Sequence, residues 1–298
     1  MKELDGKIML FGCPVQIKTH GCSHDDEPGL PIPPSVNIFV KVTNGCNARC
    51  AFCSNAGARQ VSGFNLDKLR TVIEASLEAG LIVNRLNITG GEPSLVPARV
   101  EAILMMMETE AFRNIHTHLN TNGLTREAQS LMKLDRLDST SVSLHHYDRR
   151  ALSEIYGMDI PENALLFEGV DMMRVNASCN LIKGYIDDTK EAHRMMDFCL
   201  DRGFTRLGFV GLMPVNDYCR KHLVSLDELH LEDVPHCYFT ESKNRGKDCR
   251  CSNYLYNKDA KLLDIYMRHY CNPQNCESSL LFDGEYLRQG FHKDNIIY

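Results

Sequence analysis

The sequence predicts an α/β fold built on a parallel sheet, followed by a small cysteine-rich β module. Between residues 36 and 212, six short strand-like runs alternate with helical segments, a pattern typical of parallel strands joined by right-handed crossovers. After Pro214 the alternation stops, and two short strand pairs accompany a group of five cysteines. The parallel sheet could close partly into a barrel or remain open as a doubly wound sheet. In both arrangements reactive residues are expected at the carboxyl ends of the strands.

Local patterns define the elements in chain order. Residues 1–34 end in a run of turn formers and are interpreted as an N-terminal extension. β-Branched runs predict strands, apolar residues at helical spacing predict helices, and Asp283-Gly284 predicts a hairpin. The predicted strands are 36–42, 85–89, 115–120, 139–144, 175–182 and 206–212, with two more in 251–270; the predicted helices are 65–80, 97–109, 125–134, 162–173 and 188–202. The predicted domains are therefore 1–34, 35–213 and 214–298.

Composition excludes several classes of protein. The 298 residues carry a net charge of -6 without a dominant basic stripe, which argues against a nucleic-acid binder. No apolar run approaches the roughly 20 residues that span a bilayer, and no signal peptide is recognisable. The 13 cysteines are an odd number and are clustered, so a disulfide framework is not expected. We expect a cytoplasmic protein without a membrane partner.

Three cysteines directly follow the first predicted strand of the α/β domain. Cys46, Cys50 and Cys53 have the spacing C-x3-C-x2-C. A structural zinc site usually takes four protein ligands, and the possible additional donors, His20 and His24, precede the strand. A cubane iron–sulfur cluster can instead be held by three thiolates, which leaves its fourth iron open to bind another molecule. The spacing therefore favours a 4Fe-4S cluster with a reactive position.

This loop and the strand ends that follow it resemble the radical S-adenosylmethionine (SAM) enzymes. Phe52 matches the aromatic position before the last cysteine, and the residues 89–93, "TGGEP", match the glycine-rich segment after the second strand. "NTNG" at 120–123, "VSL" at 142–144 and "GLMPV" at 211–215 lie at later strand ends that the family uses. The resemblance covers about residues 35–215 and implies a partial (β/α)6 TIM-like barrel.

The resemblance implies that SAM binds the open iron of the cluster. Reductive cleavage would then give a 5'-deoxyadenosyl radical that abstracts hydrogen from a substrate, with the electron supplied by a flavodoxin- or ferredoxin-type donor. Adjacent glycines permit close backbone approach to a ligand, and the Glu92 carboxylate can accept from the methionine ammonium group. The implied cofactor-binding residues are Phe52, Gly90, Gly91, Glu92, Pro93, Asn120, Ser143, Asn180 and Met213.

Two histidines depart from the family pattern. His145 and His146 follow the fourth predicted strand, where relatives often carry an aspartate. Either imidazole could face the substrate and move a proton, which makes both candidate catalytic residues. The alternative is that they are structural histidines.

The C-terminal cysteines resemble the auxiliary-cluster modules called SPASM or twitch domains. The group comprises Cys237, Cys249, Cys251, Cys271 and Cys276. We predict a second 4Fe-4S cluster held by four of the five, with Cys249, Cys251 and Cys271 first, then Cys276 and last Cys237. The alternative is a zinc site that staples a small β module.

Relatives with such modules mostly modify peptides, so a peptide or protein side chain is the expected substrate. A small metabolite or nucleotide is the alternative, because the 34-residue extension is too short for a leader-recognition domain. The molybdopterin-precursor cyclase itself is disfavoured, since the chain ends in "DNIIY" without a Gly-Gly tail. A different class, an iron–sulfur sensor or electron carrier without catalysis, would explain two clusters but not the Gly-Gly-Glu-Pro segment.

Overall fold

The computed structural model describes residues 6–17, 33–54, 63–242, 251–268, 279–290 and 295–298. A small hairpin and an 11-stranded sheet contain all its strands. The strands are β1 (Lys7–Leu10), β2 (Cys13–Gln16), β3 (Ser35–Lys41), β4 (Ile82–Thr89), β5 (His116–Thr121), β6 (Ser139–Ser143), β7 (Val175–Leu181), β8 (Arg206–Gly211), β9 (Cys237–Ser242), β10 (Ser252–Lys258), β11 (Lys261–Arg268), β12 (Ser279–Phe282) and β13 (Leu287–Gln289). The order across the large sheet is β13-β12-β3-β4-β5-β6-β7-β8-β11-β10-β9.

Helices connect the parallel strands. They are α1 (Leu66–Glu78), α2 (Pro97–Met107), α3 (Arg126–Met132), α4 (Arg149–Tyr156), α5 (Thr189–Asp201) and α6 (Asp217–Lys221). Strands β3 to β8 are parallel neighbours in chain order, which confirms the predicted α/β alternation. The open sheet with helices on its outer face is a partial TIM-like barrel. Among the described residues, no helix combines the length and hydrophobicity that a membrane span requires.

The C-terminal strands extend the same sheet at both edges. β11 pairs in parallel with β8, and β12 pairs in parallel with β3. The predicted turn in 251–270 joins β10 to β11, and the Asp283-Gly284 hairpin joins β12 to β13. The structure thus places the described strands after residue 214 on the barrel sheet itself, not in a sheet of their own.

One predicted helix is wrong. Residues 162–173 contain turns, a left-handed Gly169 and the start of a short 3-10 turn at 172–174. The helix between β6 and β7 is instead α4, which begins after the capping side chain of Asp148 and ends at the left-handed Gly157. The hairpin β1–β2 lies within the segment interpreted as an extension.

The two faces of the sheet differ in chemistry. Alternate residues such as Leu119, Val142 and Cys179 are fully buried in the apolar cores between strands and helices. The inward-facing positions of β5, β6 and β7 are His116, His118, Asn120, Ser139, Ser141, Ser143, Asn176, Ser178 and Asn180. A barrel interior is usually filled with bulky branched side chains. Here the concave face offers hydrogen-bonding groups instead, which suits a polar ligand.

Candidate active site

The cysteine loop follows β3 at the carboxyl edge of the sheet. Cys46, Cys50 and Cys53 are each partly buried, and the Ala48 amide donates a 3.4 Å hydrogen bond to Cys46 Sγ. Burial, and then the nearby Cys53 and Cys46, raise the pKa of Cys50 to about 12. Burial also raises the pKa of Cys46, although the Ala48 amide opposes the rise. Three thiolates in this loop therefore need a positive centre among them.

The donor set fits an iron–sulfur cluster. Among the described residues, no group of three or more His, Cys, Asp or Glu side chains, these cysteines included, is arranged to hold a single metal ion. A cubane cluster does not require that, because each thiolate binds a different iron. Cys46, Cys50 and Cys53 would hold such a cluster, and the cluster would supply one electron to a bound sulfonium compound.

Gly90 and Gly91 accommodate the start of the cysteine loop. A Cβ atom on Gly90 would lie 2.6 Å from the Thr43 carbonyl oxygen, and one on Gly91 would lie 2.0 Å from the Gly45 carbonyl oxygen. The Gly91 amide donates to Thr43 O at 2.8 Å, and the Glu92 amide donates to Gly45 O at 2.7 Å. The sequence suggested close approach to a ligand, whereas the observed close neighbour is the backbone that leads into Cys46.

Glu92 is buried beneath this contact. Its side chain is 1% exposed and accepts hydrogen bonds from Thr121 Oγ1 at 2.6 Å and the Asn122 amide at 2.8 Å. The Ser94 amide, at the turn that begins with Pro93, adds a third bond at 3.0 Å. Burial raises the pKa of this carboxyl, and the hydrogen bonds oppose the rise. The role of Glu92 toward a ligand ammonium group stays a prediction.

Asn122 links the third strand to the cysteine loop. Its Nδ2 donates a 2.7 Å hydrogen bond to Asn47 Oδ1, and that oxygen lies 3.8 Å from Cys46 Sγ. Asn120, the residue of the "NTNG" segment expected to bind the cofactor, lies on the inner face of β5 beside His118, and its role toward a cofactor stays a prediction. Only the three-dimensional proximity of the two loops identifies Asn122 as a neighbour of the cluster ligands.

His145 is packed against the cysteine loop. Its ring lies edge-on to Phe52, with the ring centroids 5.0 Å apart. Its Nδ1 accepts a 3.1 Å hydrogen bond from the backbone N–H of Asn180. The ring is 4% exposed, and burial lowers its pKa to about 4. His145 is therefore neutral near pH 7 and holds Phe52, Asn180 and Tyr156 together.

The other predicted residues lie around the same edge. His146 accepts the Asp148 amide at 2.9 Å and packs on Tyr147, and burial lowers its pKa. The Ser143 carbonyl accepts from the Tyr156 hydroxyl, which joins the end of β6 to α4. Met213 follows β8 and is 38% exposed. Their roles toward a cofactor or substrate stay predictions.

A second support for the cysteine loop comes from the segment after β8. Asn216 Nδ2 donates a 3.0 Å hydrogen bond to the Ala51 carbonyl, and Cys219 Sγ donates a 3.5 Å bond to the Phe52 carbonyl. Asn216 also caps α6 through its Oδ1. Nothing in the sequence around Cys219 indicates a contact with residues 51 and 52, so this support is visible only in the structure.

The register of β9 and β10 separates two of the C-terminal cysteines. Cys237 is opposite Tyr256, five positions along β10 from Cys251, which corresponds to about 16 Å. Cys237 therefore lies too far from Cys251 to bind the same cluster, and the choice of four ligands among the five cysteines stays a prediction. Cys251 lies at the carboxyl edge, because Ser252 pairs with Met267 and Arg268 pairs with Val210. Cys249, Cys271 and Cys276 lie outside the described residues.

Comparison with known proteins identifies the family. The family sequence model of the radical SAM superfamily matches residues 40–217, more than half of the chain. The chain belongs to the radical SAM superfamily. Membership indicates an enzyme in which a 4Fe-4S cluster binds SAM. A radical SAM methyltransferase from Sphaerobacter thermophilus shares the fold, with a TM-score of 0.52 and 19% identity over 67% of this chain and 62% of that one.

Curated relatives correct the expected substrate. A probable GTP 3',8-cyclase from Saccharolobus islandicus is 25% identical over 273 residues, 89% of this chain and 85% of the relative. Another, from Methanococcus vannielii, is 27% identical over 202 residues, and this radical SAM chain spans 64% of its length. GTP is a nucleotide, so these relatives contradict the expectation that the substrate is a peptide or protein side chain. That expectation is wrong.

Proposed function

We propose that this radical SAM enzyme abstracts hydrogen from a small nucleotide-type substrate held against the concave face of the barrel. The observation that carries the proposal is the match to probable GTP 3',8-cyclases along 89% of the chain. That match extends well beyond the residues 40–217 that define the superfamily domain. A shared length of this kind supports a shared substrate class better than the barrel alone does.

The polar inner face supports the same proposal. Nucleotides present ribose hydroxyls and base nitrogens that need hydrogen-bonding partners when water is excluded. The His, Asn and Ser side chains of β5, β6 and β7 provide such partners below the cluster loop, as defined above. Lys41 at the end of β3 and Arg268 at the end of β11 contribute positive charge near the carboxyl edge of the sheet. These charges would attract the phosphate groups of a nucleotide substrate.

The residues of the chain have separate tasks in this proposal. Cys46, Cys50 and Cys53 would hold the cluster, and Gly90, Gly91 and Glu92 fix the backbone that precedes them. Phe52, His145 and Asn180 form a packed wall beside the loop, which excludes water from the reacting centre. A flavodoxin- or ferredoxin-type protein is the proposed electron donor.

The test uses enzyme with its cluster reconstituted under anaerobic conditions. SAM, dithionite and GTP, ATP or guanosine are added in turn, and 5'-deoxyadenosine is quantified. We expect a nucleotide to increase its formation, and deuterium placed on that nucleotide's ribose to appear in 5'-deoxyadenosine. Cys50→Ala should abolish cleavage because a thiolate ligand is lost. Cleavage of SAM that no nucleotide stimulates, without deuterium transfer, would contradict the nucleotide proposal.

We propose in addition that the C-terminal segment holds an auxiliary 4Fe-4S cluster of the SPASM or twitch type. Its ligands would be Cys251 with Cys249, Cys271 and Cys276, because the strand register removes Cys237 from the set. The position of Cys251 at the carboxyl edge supports this, since that edge also carries the SAM-cluster loop. A zinc site with the same four ligands is the alternative.

Metal content distinguishes the two centres. Two cubane clusters contain about eight irons per chain, and one cluster with a zinc staple gives about four irons and one zinc. Cys251→Ala should lower the iron content by about half. Cys237→Ala, a buried cysteine on the neighbouring strand, is the matched control and should retain the wild-type iron content. Equal iron loss in both variants would overturn the proposed ligand set.

A further inference from the structure

Four side chains on the inner face of β5 and β6 form a continuous hydrogen-bonded chain. His116 Nε2 lies 2.6 Å from Ser139 Oγ, and the same oxygen lies 2.7 Å from His118 Nδ1. His118 Nε2 lies 3.0 Å from Ser141 Oγ. The parallel register explains the geometry, because His118 pairs with Ser139 and Asn120 pairs with Ser141. Each interior member of the chain therefore bridges two residues of the other strand.

The chain has two consistent directions. A neutral imidazole has one N–H donor and one acceptor nitrogen, and a hydroxyl group donates one hydrogen bond while accepting others. If His116 Nε2 donates to Ser139, then Ser139 donates to His118 Nδ1 and His118 Nε2 donates to Ser141. In the opposite direction every donor becomes an acceptor. The two arrangements of His116, Ser139, His118 and Ser141 are related by transfer of one proton along the chain.

The two ends of the chain lie in different surroundings. His116 begins β5 at the amino edge and is partly exposed, close to the charges of Arg85 and Asp138. Ser141 is in register with Asn120 and Asn176 on the polar inner face. It lies one inward-facing position before Ser143, the last residue of β6 at the carboxyl edge. The chain thus connects the amino edge of the barrel to the proposed substrate cavity.

The middle of the chain does not store a proton. His118 is 4% exposed. Burial, and then the charges of Arg85 and His116, lower its pKa to about 3, while a hydrogen bond that His118 donates to the Asn120 side chain opposes this. A neutral His118 can receive a proton at one nitrogen only as it releases one from the other. His118 can therefore pass a proton along the chain but does not carry a stable positive charge near pH 7.

We propose that the chain His116–Ser139–His118–Ser141 carries a proton from solvent at the amino edge to the substrate in the barrel. The proposal rests on the proposed function, because a substrate radical that takes up an electron from the reductant also needs a proton to become a neutral closed-shell product. His116 takes a proton at Nδ1 and releases one from Nε2 to Ser139. Ser139 releases one to His118 Nδ1, His118 releases one from Nε2 to Ser141, and Ser141 donates to the substrate. Each transfer breaks one N–H or O–H bond and forms one.

The variants isolate the central hydroxyl group. Ser139→Ala removes both of its hydrogen bonds, and Ser139→Thr keeps the hydroxyl on a strand that tolerates β-branched residues. Thr140→Val is the matched control, because Thr140 is the next residue and is buried on the opposite, helix-covered face. If the chain is merely structural, Ser139→Ala and Thr140→Val should alter stability without changing proton movement.

The first measurement does not need a substrate. In holoenzyme labelled with ¹⁵N-histidine, the ring nitrogens of His118 should show the averaged shifts of two tautomers in wild type, Ser139→Thr and Thr140→Val. Ser139→Ala should fix His118 with its proton on Nε2, since the substitution removes the hydroxyl partner of Nδ1 and leaves Ser141 beside Nε2. A single fixed tautomer of His118 in the wild type would overturn the relay.

The second measurement uses turnover of GTP as the probe. Ser139→Ala should lower kcat for product formation about 100-fold, within the range expected for loss of a positioned proton donor. Ser139→Thr should restore kcat, and Thr140→Val should match wild type both in kcat and in the rate of SAM cleavage without substrate. An unchanged kcat in Ser139→Ala would also overturn the relay. If wild type turns over no nucleotide, the proposed function fails while the tautomer measurement still decides the relay.

Discussion

Asn216 donates a 3.0 Å hydrogen bond from its side-chain amide to the carbonyl oxygen of Ala51, between the second and third cysteines of the cluster loop. The two residues are 165 positions apart in the chain. Together with the bond from Cys219 to the Phe52 carbonyl, it fixes the orientation of the loop backbone from the side of α6. The segment that follows β8 therefore supports the backbone of the cysteine loop.

Asn216→Asp should weaken this hold selectively. The aspartate keeps the oxygen that caps α6 but loses the amide donor to Ala51. A net hydrogen bond contributes about 1 kcal/mol, so we expect the cluster to be lost about fivefold faster. The decay of the iron–sulfur absorbance after addition of a chelator measures that rate.

Asp217→Asn provides the control for this experiment. Asp217 is the adjacent, exposed residue, and its carboxylate pairs with Arg220 on the same helix. The iron–sulfur absorbance of Asp217→Asn should decay at the wild-type rate. If Asn216→Asp retains its cluster as long as Asp217→Asn does, the contact with Ala51 does not stabilise the loop.

Gly91→Ala should disrupt the start of the cysteine loop. The new Cβ would lie 2.0 Å from the Gly45 carbonyl oxygen, and this neighbour is backbone that cannot rotate away. We expect less than half of the wild-type iron after reconstitution, with the helical circular dichroism retained. Gly63→Ala, where an added Cβ meets no atom within 4 Å, should bind iron like wild type. Normal iron content in Gly91→Ala would refute the assigned role of this glycine.

The barrel strands and the cysteine loop were predictable because their signals are local. The spacing of Cys46, Cys50 and Cys53 and the alternation of strands and helices are both readable within short windows. Helix α4 also had local signals, the capping residue Asp148 and the terminal Gly157. The helix was instead predicted at 162–173, a segment that contains the apolar run 164–167. Gly169, with positive φ, lies two residues after that run and is incompatible with a helix that continues to residue 173.

Contacts between distant segments were not predictable from the sequence. Strand pairing at the sheet edges depends on the whole fold, so the sequence did not indicate that β11 would join β8 or that β12 would join β3. The same limit applies to Asn122 and Asn216, which reach the cysteine loop from other strand ends. The separation of Cys237 from Cys251 likewise depends on a strand register that spacing alone does not determine.

His145 should make the protein sensitive to acid. Burial lowers its folded-state pKa to about 4, whereas an unfolded histidine titrates at about 6.5. The unfolded state therefore binds more protons between these values, and stability should fall as the pH decreases from about 6.5 to about 4. Urea unfolding of wild type at several pH values measures this decline.

His145→Asn should reduce that part of the pH dependence. Asparagine keeps an acceptor for the Asn180 amide but has no proton to gain in this range. His230→Asn, a substitution at an exposed histidine, is the control and should retain the wild-type decline. Identical pH profiles for wild type and His145→Asn would show that His145 is not the responsible group.

Tyr256 should fasten the C-terminal hairpin to α5. Its hydroxyl donates a 2.7 Å hydrogen bond to Asp197. The Asp197 carboxylate also forms a 2.8 Å ion pair with Lys258. Tyr256→Phe removes the hydrogen bond to Asp197 and a 3.0 Å hydrogen bond with His193 Nε2; the bond to the charged group alone typically contributes about 1.5 kcal/mol. We expect a loss of that size in the free energy of unfolding at pH 7, measured with urea.

The pH dependence of this loss tests whether Asp197 is its cause. Burial raises the pKa of Asp197, but the bonds from Lys258 and Tyr256 outweigh it and hold the pKa below its usual value. The contribution should therefore be complete above about pH 4, the unfolded value, and should decrease as the pH falls through the folded pKa. Tyr254→Phe, on the same strand, is the control, because its hydroxyl contacts Glu232 only at 3.4 Å. If Tyr256→Phe and Tyr254→Phe lose equal stability at pH 7, the bond to Asp197 does not anchor the hairpin.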